Sequence, residues 1–285
     1  MNITDLEHFL DTLCTLSARA GHDPADFDWP DAIGDGWCFS PDLVSLHGTP
    51  LWNRLSDAQQ REIAFFEAVN FFSLNVHGER YLIDELRKHL AEDQAGALSR
   101  YLEHFVAEET RHIEYFSGFC ERYADGLFPD RTMSLAPASE DPEIDTILLF
   151  ARINLFEEIA DYYNARMARD DRLCPVVREI NRIHHVEEMR HLAFGRRYLG
   201  AFLADWSARA DDRRLTHIRQ QIDCYRHFVW TQYYSVDAYS AAGLADPFRT
   251  REVAALESSA VRHRARVEQG RLAYLEKLGL LAVAR

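Results

Sequence analysis

Residues 175–207 read PVVREINRIHHVEEMRHLAFGRRYLGAFLADWS, and one helical face of that stretch decides the fold. Stepping by three and four from Val177 gives Ile180, His184, Glu188, His191, Gly195, Tyr198 and Phe202, a core stripe in which three consecutive positions carry metal-ligand side chains. Working back along the chain, residues 95–124 repeat the theme with Leu98, Leu102, Phe105, Glu109, His112, Phe116 and Phe119. EETRH at 108–112 and EEMRH at 187–191 are near copies, which points to two structurally equivalent halves. Residues 57–90 give Phe65, Val69, Phe72, Val76, Glu79, Ile83, Leu86 and Leu90, an apolar stripe broken once by a carboxylate.

The spacing predicts helices over 57–90, 95–124, 142–169, 175–207, 211–243 and 248–279. They are separated by AEDQAG at 91–96, the Gly126–Pro142 loop, RDDRLCP at 169–175 and GLADP at 243–247. Two hairpins with short turns, joined by a longer connection, form the order of a ferritin-like four-helix bundle. The fold class is all-α, in one domain spanning 1–285. Residues 1–56, with Pro24, Pro30, Pro41 and Pro50, form an N-terminal arm containing a short helix near 3–20. Residues 57–207 form the four-helix core, and 208–285 add two further helices.

Lone carboxylates are expensive to bury, so charges on a core stripe are normally paired or bound to metal. No Lys or Arg shares these stripes. In an antiparallel hairpin, residues equidistant from the turn face each other. Glu79 and Glu109 have their midpoint at residue 94, inside AEDQAG, and Glu157 and Glu188 have theirs inside RDDRLCP. A Glu-x-x-His pair on one helix in each hairpin then converges on a metal pair at the bundle centre. The candidate ligands are Glu79, Glu109, His112, Glu157, Glu188 and His191, with His184 one turn earlier as a seventh. Glu158 lies on an equally apolar line and competes with Glu157 for the third carboxylate position. Four carboxylates balance two divalent cations, and mixed carboxylate–imidazole ligation suits iron or manganese better than a structural zinc.

Glu108 and Glu187 fall off the ligand stripes and are expected to pair with Arg111 and Arg190 on the outer face. His185 points about 100° from the stripe, toward the surroundings of the site or the surface. Asn75, His77, Asn154 and Asn164 stand near ligand height, where they either hydrogen-bond to ligands or simply pack. His227, Trp230, Tyr233 and Tyr234 on the fifth helix of this reading are assigned to packing.

The net charge of −14 argues against nucleic acid or anionic lipid as a partner. Five cysteines without C-x-x-C spacing point to free thiols in a reducing compartment rather than to a disulfide framework. The opening MNITDLEHFL lacks a signal-peptide pattern, and no apolar run suits a membrane span, so the expectation is a cytoplasmic protein.

The segments NFFSLNVHGERYLIDEL, HFVAEETRHIEYFSGFC and EEIADYYNARMARDDRLCPVVREINRIHHVEEMRHLAFGRRYL carry a resemblance over roughly 56–205. There the chain resembles the diiron N-oxygenase family typified by p-aminobenzoate N-oxygenase, and the additional histidine, His184, makes the likeness specific. The resemblance implies iron ligands at Glu79, Glu109, His112, Glu157, His184, Glu188 and His191, and it favours Glu157 over Glu158. It also implies two iron ions, dioxygen as co-substrate, and oxidation of an amine to hydroxylamine, nitroso or nitro in secondary metabolism. The substrate would be a small amine, free or carrier-bound. An external reductase must supply electrons, since no flavin, nicotinamide or iron–sulfur motif is present. A homodimer is expected from family habit. The competing readings are a ferritin-like hydroxylase or oxidase acting on carbon, and an iron-handling protein.

Overall fold

The structure, a computed structural model, describes residues 3–19, 21–92, 96–131 and 141–281. The middle of the AEDQAG turn (93–95) and most of the Gly126–Pro142 loop (132–140) lie outside the described residues. Among the described residues the regular structure is all helix, with no strand beyond one isolated bridge between Trp37 and Leu173.

Four long helices form the body: α2 (Asp57–Glu92), α3 (Ala97–Tyr123), α4 (Pro142–Met167) and α5 (Pro175–Ser207), after α1 (Ile3–Arg19) in the arm. The two hairpins α2–α3 and α4–α5 close into a ring because α2 also touches α4 and α3 also touches α5. Helix starts follow local chemistry. Asp141 caps α4 by accepting from the Glu143 amide, with Pro142 at the first position, and Pro175 opens α5 in the same way. Helix α4 is buried on nearly every side, Arg152, Asn154, Glu157, Glu158, Asp161 and Asn164 included. The reason is its position, with α5 and α2 on its inner side and α6 (Asp212–Gln232) and α9 (Ser258–Arg271) packed on its back.

The arm is more than an appendage. Helix α1 lies on α3 and α5, and three single 3-10 turns (Pro24–Asp26, Pro41–Leu43, Trp52–Arg54) lead it round the bundle. The two C-terminal helices expected from the sequence are each divided. The first becomes α6 and α7 (Val236–Ala241), because Ser235 leaves the helix and caps the next one, its hydroxyl accepting from the Ala238 amide. The second becomes α8 (Pro247–Leu256), α9 and α10 (Ala273–Lys277). Extended backbone at Glu257 lets α8 lie on α7 while α9 turns onto α4. Among the described residues, no helix is long and apolar enough to cross a membrane.

Candidate metal centre

All seven candidate ligands lie in the bundle interior, each 5% exposed or less. Ligand atoms of Glu109, His112, Glu188 and His191 fall within 4.8 Å of one another, and so do those of Glu79, His112 and His184. His112 belongs to both groups, so the cluster has two overlapping lobes. His191 Nδ1 stands 2.7 Å from Glu109 Oε1 and 3.2 Å from Glu188 Oε2, and His112 Nδ1 stands 3.2 Å from Glu109 Oε2. His184 Nε2 points at Glu79 Oε1, 3.3 Å away.

The arrangement fits metal on its own evidence. Both oxygens of Glu79, both of Glu157, Glu109 Oε1 and Glu188 Oε1 are buried and take part in no hydrogen bond. Buried carboxylate oxygens without donors are costly, and cations at the centre would satisfy all of them at once. Without a cation, burial first and then the charges of Glu109 and Glu188 push Glu79 well above the usual carboxylate range. Glu157 rises for the same reasons, burial and then Glu188 and Glu109. Burial would raise Glu109 as well, but His191 and His112 hold it below its ordinary value. Burial, reinforced by His112, holds His184 neutral, the form that ligates.

The outward nitrogens of the histidines are engaged in a crossed pattern. His112 on α3 sets Nε2 3.1 Å from Glu187 Oε2 on α5, and His191 on α5 sets Nε2 2.7 Å from Glu108 Oε2 on α3. A carboxylate accepting the Nε2 proton fixes the tautomer and leaves Nδ1 as the free donor toward the cluster. Glu108 and Glu187 are 1% exposed, so the expectation that they sit on the outer face is wrong. Helix α1 covers this side, and the arginine partners are also crossed: Arg190 with Glu108, and Arg111 with Glu187 at 3.6 Å. Two further contacts come from the arm, Ser17 with Arg190 at 3.2 Å and His22 with Glu187 at 3.5 Å. The duplicated Glu four residues before each His was the sequence signal for this shell.

Asn164 faces His184 Nδ1 at 2.7 Å, the first of the two roles left open for it. Turned so that its Oδ1 accepts from Nδ1–H, the amide leaves His184 Nε2 free for a cation. Asn75 and Asn154 instead donate to the backbone oxygens of Phe71 and Phe150, and His77 Nε2 contacts Phe128 O at 2.8 Å. His185 is turned away from the cluster, onto Asp161 at 2.5 Å. Glu158 pairs with Arg196 and stands 3.8 Å from Arg271, about 100° round α4 from Glu157. Glu157 belongs to neither of the two close ligand groups, but after burial the charges of Glu188 and Glu109 act on it, whereas Glu158 is engaged by arginine.

A cavity of about 680 Å³ lies between α2, α4 and α6. Gly78 and Phe156, the residues immediately before Glu79 and Glu157, line it, and a Cβ at position 78 would lie 2.6 Å from the Phe156 ring. Tyr81, Tyr225, Phe228, Val229 and Tyr233 give it aromatic and apolar walls, and burial pushes the Tyr225 hydroxyl up. The fifth helix therefore contributes a pocket wall; the assignment of Tyr233 to packing alone missed this role. Arg152 in the same wall is 5% exposed, with Nη2 donating to Gln221 at 3.2 Å and Nε without a partner.

Solved structures of the same fold are R2-like ligand-binding oxidases. One with an aerobically reconstituted Mn/Fe cofactor superposes with a TM-score of 0.56 at 18% identity, over 97% of this chain and 95% of that one. A valine-to-leucine variant with anaerobically reconstituted Mn/Fe cofactor gives 0.52 at 18% identity, over 92% and 94%. No match was found among curated proteins. The sequence profile of the p-aminobenzoate N-oxygenase AurF family matches residues 3–279, arm and C-terminal helices included. The chain belongs to this family, as a ferritin-like enzyme of the oxidase and oxygenase type with a buried Glu/His cluster suited to metal.

Proposed function

We propose that this protein is a diiron N-oxygenase that oxidises a small amine with dioxygen, using electrons from a separate reductase. Glu79, Glu109, His112, Glu157, His184, Glu188 and His191 hold the two ions. Bound there, the ions supply the redox chemistry toward dioxygen. The protein's own residues do the rest. Glu187, Glu108 and Asn164 aim the imidazoles. Phe105 stacked on His191 and Phe116 against His184 wall the cluster with buried apolar surface. The observation that carries the reading is the aromatic cavity whose lining residues directly precede Glu79 and Glu157. Its size suits a small organic molecule. Arg152, buried, with Gln221 and the Tyr225 ring beside it but no carboxylate of the described residues bonded to its guanidinium and Nε unpaired, favours an amine that also carries an acidic group.

The test is anaerobic loading with Fe(II), exposure to oxygen in the presence of aryl and alkyl amines, and mass analysis of the products. Uptake of two irons per chain with hydroxylamine, nitroso or nitro products supports the proposal. Hydroxylation on carbon with the amine intact would assign the site to the competing reaction, and failure to take up iron would remove the centre altogether.

A further inference from the structure

Cys38 and Cys174 stand 136 residues apart in sequence, one in the arm and one in the turn between α4 and α5. The fold brings their sulfurs to 3.9 Å, with the residues 7% and 0% exposed. Backbone on both sides holds them there. Trp37 N donates to Arg172 O at 3.0 Å and Cys174 N donates to Trp37 O at 2.9 Å, which makes the isolated bridge between arm and turn. A Cβ at Gly36 would lie 2.4 Å from Cys174 N, so the arm approaches the turn as closely as glycine allows. Ser40 adds a hydrogen bond to Asp170 at 2.6 Å, and Arg172 bridges to Asp42 at 3.0 Å. Closing a disulfide would bring the two sulfurs from 3.9 Å to the S–S separation of about 2.05 Å.

We propose that Cys38 and Cys174 are a site of reversible thiol oxidation, closing an intrachain disulfide when the protein meets hydrogen peroxide. The bond fastens the arm to the start of α5, the helix that carries His184, Glu188 and His191. Cys174 is the attacking sulfur. It occupies the N-cap position of α5, where a hydrogen bond from the Cys38 thiol, against the opposing effect of burial and with help from backbone amides, lowers its pKa. Its thiolate attacks one peroxide oxygen, the O–O bond breaks, the departing oxygen leaves as water after taking a proton, and Cys174 becomes a sulfenic acid. The Cys38 sulfur then attacks the Cys174 sulfur, the S–O bond breaks, and a second water leaves with the Cys38 proton. Two thiols lose two electrons in all, and the peroxide gains them. None of this depends on the metal or on the amine chemistry.

The full-length protein carrying Cys224→Ser, which removes an exposed thiol, would be treated with hydrogen peroxide. Free thiols are then alkylated and the chain is digested without reductant for peptide mass analysis. The expected result is a Cys38–Cys174 linked peptide from a monomeric chain, lost on treatment with dithiothreitol. A higher melting midpoint for the oxidised form than for the reduced form should accompany it, and that gap should vanish in Cys38→Ser. Recovery of both cysteines alkylated, or of Cys174 as sulfinic acid with Cys38 free, would overturn the proposal. The peptide map of the otherwise unaltered chain decides the matter even if Cys38→Ser fails to fold.

Discussion

His112 on α3 and Glu187 on α5 meet at 3.1 Å across the bundle, and the same contact recurs in reverse between His191 on α5 and Glu108 on α3 at 2.7 Å. The near-copied segments EETRH and EEMRH are thus two halves of one crossed device, each glutamate serving the histidine of the other helix.

That relationship predicts the effect of Glu108→Gln and Glu187→Gln. An amide in place of the carboxylate weakens the hold on the Nε2 proton and the ring orientation. Metal retention should fall roughly 10–100-fold in each. Metal content after dialysis against a graded chelator series measures this, with circular dichroism showing that the helices remain.

Glu157→Gln and Glu158→Gln should separate cleanly although the residues are adjacent. The first removes a cluster carboxylate and should sharply lower metal occupancy. The second frees Arg196, whose side chain is 44% exposed and can return to water, so the expected cost is stability of about 1–2 kcal/mol with metal content unchanged. Parallel metal analysis and denaturant titration distinguish the two.

Arg152→Met should change which amines are accepted. With the buried guanidinium gone, an amine bearing a carboxylate should show KM raised by about 10-fold or more, while a neutral amine of the same size is little affected. Equal losses for both classes would count against Arg152 as an anchor.

Glu67 predicts a pH effect remote from the cluster. Burial raises its carboxyl to about 8, against the lowering influence of hydrogen bonds from the Ser45 hydroxyl and amide. The folded state therefore holds this proton more tightly than the unfolded state does. Its contribution to stability is full below the ordinary Glu range and is lost as pH rises from there through about 8. Glu67→Gln should flatten that decline, and the variant should overtake the parent by on the order of a few kcal/mol at the alkaline end. Urea midpoints across the pH range report it.

Sequence periodicity located the four long helices to within a few residues and brought out the ligand-type side chains, because polar residues on an apolar stripe are conspicuous at 3.6-residue spacing. It also fixed their height, since equidistance from a turn is a property of sequence. It misplaced Glu108 and Glu187, because a helical projection knows only one helix: α1, from a distant part of the chain, converts their face into interior. The choice between Glu157 and Glu158 was likewise undecided on the stripe, both lines of α4 being apolar because that helix is surrounded. Arg196 on α5 and Arg271 on α9 engage Glu158, a contact no single-helix projection shows. The cavity between α2, α4 and α6 and the meeting of Cys38 with Cys174 left no mark in the sequence. Both arise from segments brought together by packing, and contacts at such separation are set by how helices fill space rather than by the spacing of residues along any one of them.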